Sequence, residues 1–200
     1  MQIRMSASDF AELLAAAREE SSRWPDAVFI GGVAIYLHAM EEPSATAAAE
    51  LTSDLDLYLS LSGFAELRGQ EDVIGNRSAT KHSYFVRGFP VDVYTEDQAK
   101  LPVSYAEIAA RATIRGGIRV ACLEHLLILK LEAFRVRRGT TKGGRDARHI
   151  ALLEALLLAR KESLDRLGEE SMRLLSDALH AKNAEDIRAE LAPPMRRNPE

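Results

Sequence analysis

Thr52-Ser53-Asp54-Leu55-Asp56-Leu57-Tyr58-Leu59 is the stretch whose reading decides the fold. Its apolar residues recur every second position, the period of a β-strand with one face in a core. Leu55, Leu57 and Leu59 take the core face. Asp54 and Asp56 then project together from the other face, roughly 7 Å apart at their Cα atoms. Two carboxylates with no basic residue between them repel, and a cation relieves the repulsion. Hard oxygen donors suit Mg²⁺, which takes one or two carboxylates plus substrate phosphates. Taken alone, an Asp-x-Asp also fits a solvated strand edge.

The flanking sequence favours the first reading. Upstream, Ala27-Val28-Phe29-Ile30 forms a short buried strand, Gly31-Gly32 a turn, and Val33 to Met40 the start of a helix. Glycines can take positive φ and let a ligand approach the backbone. The free N–H groups of a helix start attract phosphate. The diglycine is neither a Walker loop nor a Gly-x-Gly-x-x-Gly fingerprint, and a tight strand-to-helix turn needs glycine for geometry alone. Downstream, Phe89-Pro90-Val91-Asp92-Val93-Tyr94 reads as a strand with Asp92 on the face opposite Val91 and Val93. If the two strands are neighbours, Asp92 joins Asp54 and Asp56. Three acids on adjacent strands can hold two metals, one on a triphosphate and one on an attacking hydroxyl.

Gly31-Gly32, Ser53-Asp54-Leu55-Asp56-Leu57 and Val91-Asp92-Val93 together resemble the polymerase-β-like nucleotidyltransferase superfamily. Within it the chain is most similar to the AbiEii/MenA-type nucleotidyltransferases, many of them toxins of toxin–antitoxin pairs. Leu126 to Leu131 with Lys130, then Lys142 and Arg145-Asp146-Ala147-Arg148-His149-Ile150, resembles that family's Leu-x-x-Lys-Leu and Lys-Asp-x-x-Asp-Ile segments. The matching stretches lie within roughly residues 27–152. Arg145 stands where the family has lysine and keeps the charge. His149 stands where it has a second aspartate and does not. The diglycine replaces the Gly-Ser common elsewhere in the superfamily and removes a hydroxyl.

The resemblance implies an α+β nucleotidyltransferase-like mixed β-sheet with flanking helices, followed by a helical C-terminal part. It implies Asp54, Asp56 and Asp92 as metal ligands and catalytic acids. Gly31, Gly32, Ser53, Lys130, Lys142, Arg145 and Asp146 then bind nucleotide or phosphate. The cofactor is Mg²⁺ in a two-metal site, with Mn²⁺ as a substitute. A nucleoside monophosphate moves from a nucleoside triphosphate to an acceptor hydroxyl, with release of pyrophosphate. Implied acceptors are tRNA 3′ ends or a protein, with a cognate antitoxin as partner. An aminoglycoside-like small molecule is the alternative acceptor. A degenerate nucleotide-binding protein without turnover is the non-enzymatic alternative, and His149 is the feature that keeps it open.

Residues 130–148 hold seven basic residues, Lys130, Arg135, Arg137, Arg138, Lys142, Arg145 and Arg148, against Glu132 and Asp146, in a chain of net charge −4. Such a local patch suits a triphosphate or an RNA backbone. A solvated helix face with a flexible loop over residues 139–144 would account for it without a ligand. Asp146 can orient Lys130 or Lys142, or cap a helix near its start.

At 200 residues, 46% hydrophobic and 28% charged, the chain can bury a globular core. Cys122 is the only cysteine, which rules out an intramolecular disulfide and a cysteine-based zinc cluster. The N-terminus lacks a signal-peptide pattern and no apolar run reaches spanning length, so a cytoplasmic protein without a membrane partner is expected. Ser6-Ala7-Ser8-Asp9 opens a helix through about Glu20. Ser62 to Leu67 reads as a short helix, residues 82–87 and 89–94 as strands around Gly88, and Gly116-Gly117 as a hairpin turn. Domain boundaries are expected at 1–121 for a catalytic domain, 122–192 for a helical region supplying basic residues, and 193–200 for a loose tail.

Overall fold

The computed structural model of the protein describes residues 5–76 and 80–160. The expected later helices and the C-terminal tail lie outside them. Seven strands form one mixed sheet: β1 Val28–Phe29, β2 Leu55–Tyr58, β3 Ile74–Asn76, β4 Lys81–Val86, β5 Phe89–Tyr94, β6 Thr113–Arg115 and β7 Ile118–Val120, in the order β3-β4-β5-β2-β1-β7-β6. The helices are α1 Ala7–Arg23, α2 Gly32–Met40, α3 Leu61–Gln70, α4 Glu96–Ala99, α5 Tyr105–Arg111, α6 Leu123–Arg137 and α7 Thr141–Arg160. A sheet flanked by helices, with α6 and α7 following, is the expected α+β architecture.

The strand that decided the reading lies at the sheet's centre. β2 runs antiparallel to β1 and parallel to β5. Leu55, Leu57 and Leu59 are fully buried, as are Val91 and Val93. Their alternation turns the acids to the opposite face. The register pairs Asp56 with Asp92 directly, so the two strands are the neighbours the argument required.

Turn chemistry fixes the outer registers. Arg87-Gly88 and Gly116-Gly117 each supply two consecutive residues of positive φ, the requirement of a two-residue type I′ hairpin. The first joins β4 to β5 and sets Ser83 opposite Asp92. The second joins β6 to β7.

Ser6 caps α1, its Oγ accepting from the Asp9 amide at 3.1 Å. The helix runs three residues past the expected end at Glu20 and buries Phe10, Leu13, Ala16 and Ala17. Trp24 is in the core, its Nε1 donating to buried Glu20 at 2.9 Å. Burial, the largest influence, raises the Glu20 carboxyl above its ordinary range. His38 has a structural role: its Nε2 hydrogen-bonds the Ala121 carbonyl at 2.9 Å, tying α2 to the junction of β7 and α6.

The second half departs from one expectation. Residues 139–144 are not one flexible loop, because α7 already begins at Thr141. Thr140 accepts from the Gly143 amide at 3.0 Å and so caps the new helix. Gly143 is required by close approach: a Cβ there would fall 2.3 Å from the Arg137 carbonyl oxygen. This contact lets α6 and α7 pack as a tight helical hairpin, which also touches α2.

Candidate active site

Asp54, Asp56 and Asp92 each offer a carboxylate oxygen within 4.8 Å of the others. Asp54 sits one residue before β2, and its Oδ1 accepts from the buried Thr52 hydroxyl. Tyr94 donates its hydroxyl to Asp56 Oδ1 at 3.3 Å. Ser83 donates to Asp92 Oδ1 at 2.7 Å, and Lys81 forms an ion pair with Asp92 Oδ2. Burial, and then the Asp54 charge, push the Asp56 carboxyl up to about 6. The same burial, with Asp56 and Asp92 adding to it, raises Tyr94 and keeps it a phenol that donates.

The diglycine does not use the positive φ that glycine permits. Gly31 has φ −99°, and Gly32 is not among the glycines of positive φ. What Gly31 supplies is space: a Cβ there would lie 1.7 Å from Asp56 Oδ2. A Cβ on Gly32 would meet Thr52 Cβ at 2.8 Å. The strand-to-helix joint is therefore pressed directly against the acid cluster, with the N-terminus of α2 beside it.

These residues line one cavity of about 440 Å³. Gly31, Gly32, Asp54, Asp56 and Asp92 belong to its wall, and so do Lys130, Lys142, Arg145 and Asp146 from the helical hairpin. Ser53 does not; it is exposed, and its neighbour Thr52 takes the place in the wall. The basic patch divides. Lys130, Arg137, Lys142 and Arg145 face the cavity, whereas Arg135, Arg138 and Arg148 are not in its lining. Asp146 caps nothing: it lies in the second turn of α7, with Lys130 Nζ 3.4 Å from Oδ1 and Arg137 Nη2 3.0 Å from Oδ2. Arg145 is also held by Glu50 at 3.6 Å and by the Leu51 carbonyl at 3.3 Å.

His149 is buried in the same wall, and its Nδ1 has no hydrogen-bond partner among the described residues. Burial, with the charges of Lys130, Arg145 and Arg148, lowers it to about 3, so the ring is neutral at physiological pH. His149 therefore adds no charge to the basic wall.

Sequence reasoning missed Lys81, Ser83, Tyr94 and Thr52. A signal was present for the first two. A two-residue turn at Arg87-Gly88 places Ser83 opposite Asp92, and Lys81 shares the face of Ser83 by strand alternation.

Chemically, the cavity has an acidic floor of hard oxygen donors and a basic wall. The three converging carboxylates, with Gly31 leaving room at Asp56, fit a divalent ion such as Mg²⁺ or Mn²⁺.

No protein-family model matches the chain, and no curated protein matches it. Solved structures do. The Megavirus polyadenylate synthase superposes with a TM-score of 0.52 at 15% identity, over 80% of this chain and 34% of that one. The present chain thus spans about a third of the viral enzyme. The antibiotic-resistance factor ANT(2'')-Ia superposes with a TM-score of 0.53 at 12% identity, over 88% of this chain and 94% of that one. The chain has a nucleotidyltransferase-like fold. Among the described residues, no helix is long and apolar enough to cross a membrane.

Proposed function

We propose that the protein is a divalent-metal-dependent nucleotidyltransferase that moves a nucleoside monophosphate from a nucleoside triphosphate to an acceptor hydroxyl. The observation that carries this reading is the convergence of Asp54, Asp56 and Asp92, in the Asp56–Asp92 register, beneath a basic wall in one cavity. Asp54 and Asp56 would hold Mg²⁺, which when bound neutralises charge on the triphosphate. Lys130, with Lys142 and Arg145 at the rim, attracts the phosphates as point charges. Asp146 orients Lys130. Asp92 faces the acceptor hydroxyl and takes its proton as the oxygen attacks the α-phosphorus. The bond from that phosphorus to the bridging oxygen breaks, and pyrophosphate leaves. Catalysis is mostly positioning and charge neutralisation.

The acceptor in this reading is a macromolecule, a tRNA 3′ end or a protein side chain. The resemblance to the AbiEii/MenA-type toxins supports it, and a cognate antitoxin would be the partner. A second reading has a small-molecule acceptor of the aminoglycoside type. It is favoured by the superposition on an antibiotic-resistance factor of which the chain covers 94%.

The test is label transfer from the four α-³²P nucleoside triphosphates with Mg²⁺, onto total tRNA, the protein itself or a panel of aminoglycosides. Asp56→Ala is the control. Label that appears on one acceptor and vanishes in the variant supports the reading and selects the acceptor class. Label equal in both overturns the site assignment.

A further inference from the structure

We infer that the Lys81 ammonium is a built-in cation of the acid cluster, standing where a second divalent ion would bind and leaving the site with one. The inference rests on the nucleotidyltransferase reading and deepens it.

The three carboxylates are not equivalent. Asp54 and Asp56 receive hydroxyl donors, from Thr52 and Tyr94. Asp92 has both oxygens engaged by the neighbouring strand: Oδ2 by the Lys81 ammonium and Oδ1 by the Ser83 hydroxyl at 2.7 Å. The Lys81 and Asp92 side chains retain only 25% and 11% of their exposure, so this is no loose surface pair. Breaking such a pair leaves a mostly buried charge without a partner.

The arrangement is set by backbone, not by a chance rotamer. The Arg87-Gly88 turn fixes Ser83 opposite Asp92, and alternation brings Lys81 to the same face. Both β4 donors belong to the hairpin that carries the acid. A second divalent ion at Asp92 would have to displace the ammonium and give up the place its backbone register assigns it.

Charge supports the same count. One divalent ion and one ammonium together carry three positive charges, matching three carboxylates. Before a triphosphate arrives, a second divalent ion added to that set would leave the floor positive by two. Lys81 is thus a positioning residue: it aims Asp92 and pairs with its carboxylate without a metal on that side.

The experiment counts ions. Equilibrium dialysis with Mn²⁺ and non-transferable α,β-methylene analogues of the four nucleoside triphosphates gives the stoichiometry. Electron paramagnetic resonance of the same samples separates isolated ions from a spin-coupled pair about 3.5–4 Å apart. The wild-type protein is expected to bind one Mn²⁺ per bound nucleotide, with the signal of an isolated ion. Lys81→Met should bind two, with a coupled signal, and Lys81→Arg should keep one. Two coupled ions in the wild type would overturn the inference and leave the nucleotidyltransferase reading standing. One ion in both wild type and Lys81→Met would also overturn it. Failure to bind any nucleotide would sink the inference and the functional reading together. If Lys81→Met does not fold, Lys81→Gln takes its place, and two coupled ions in the wild type overturn the inference in either case.

Discussion

Asp56→Asn should make the metal-free protein more stable while abolishing its activity. In the folded chain the Asp56 carboxyl sits at about 6, against 3.8 for a free aspartate, a rise of about two units caused first by burial and then by Asp54. At 1.36 kcal/mol per unit this is about 3 kcal/mol. The folded state binds the Asp56 proton more tightly than the unfolded state does. The favourable contribution is therefore complete below pH about 4 and is lost as pH rises through about 6. Above that, ionised Asp56 carries the whole penalty, and asparagine carries none. Asp56 keeps some contact with water, which reduces the figure to about 1–3 kcal/mol. Asparagine still offers Tyr94 an oxygen to bond. For a chain of this size the gain corresponds to roughly 2–10 °C in Tm. Thermal melts in EDTA from pH 4 to pH 8 should show the two proteins converging at the acid end and the variant ahead at pH 7.5. Added Mg²⁺ should narrow the gap by stabilising only the wild type. Equal stability at pH 7.5, or a gap independent of pH, would refute the electrostatic reasoning.

Other outcomes follow from the same geometry. Asp54→Ala and Asp56→Ala should each lower nucleotidyl transfer by about 10³-fold or more, read as loss of label on the acceptor. Gly31→Ala places a methyl group on the Asp56 carboxylate. It should destabilise the fold by about 1–3 kcal/mol and cut transfer as severely as loss of the acid, measured by denaturant unfolding and label transfer. Chelation of divalent ions should stop transfer, with Mg²⁺ or Mn²⁺ restoring it. Glu20→Gln should remove a pH dependence. Because burial raises the Glu20 carboxyl, the wild type loses stability relative to the variant as pH rises above 4.5. Paired denaturation curves at acid and neutral pH would show it.

How much of this was legible depended on the range of the signal. The period of two in residues 54–59 was enough to send Asp54 and Asp56 one way and the leucines the other. The placement of Asp92 needed a fact that no single strand contains, that β2 and β5 are adjacent and in register. The resemblance supplied that adjacency where patterning could not. Lys81 escaped because its strand shows no alternation around it; its meaning comes from counting back through a two-residue turn. The steric demand at Gly31 is hidden from sequence for a related reason. Both a conformational demand and a steric one select glycine, and only coordinates show a carboxylate lying where a Cβ would be. Lys142 reads as a loop residue because Gly143 and Gly144 disfavour a helix. The close contact between α6 and α7 at Gly143 outweighs that cost.

The acidic floor comes from residues 54–92 and the basic wall from residues 130–149, and this imposes an order on synthesis. Asp92 leaves the ribosome before Lys130, by about 2–8 s at ordinary elongation rates. During that interval the nascent chain has its carboxylates but not the helical hairpin that would draw in a triphosphate. Lys81 is already present, on the same β-hairpin as Asp92, so the third acid has its counter-charge from the moment that hairpin closes. A growing chain of this design has the groups to hold a metal before it has those that attract phosphate, and becomes competent for a nucleotide only once the second half has docked.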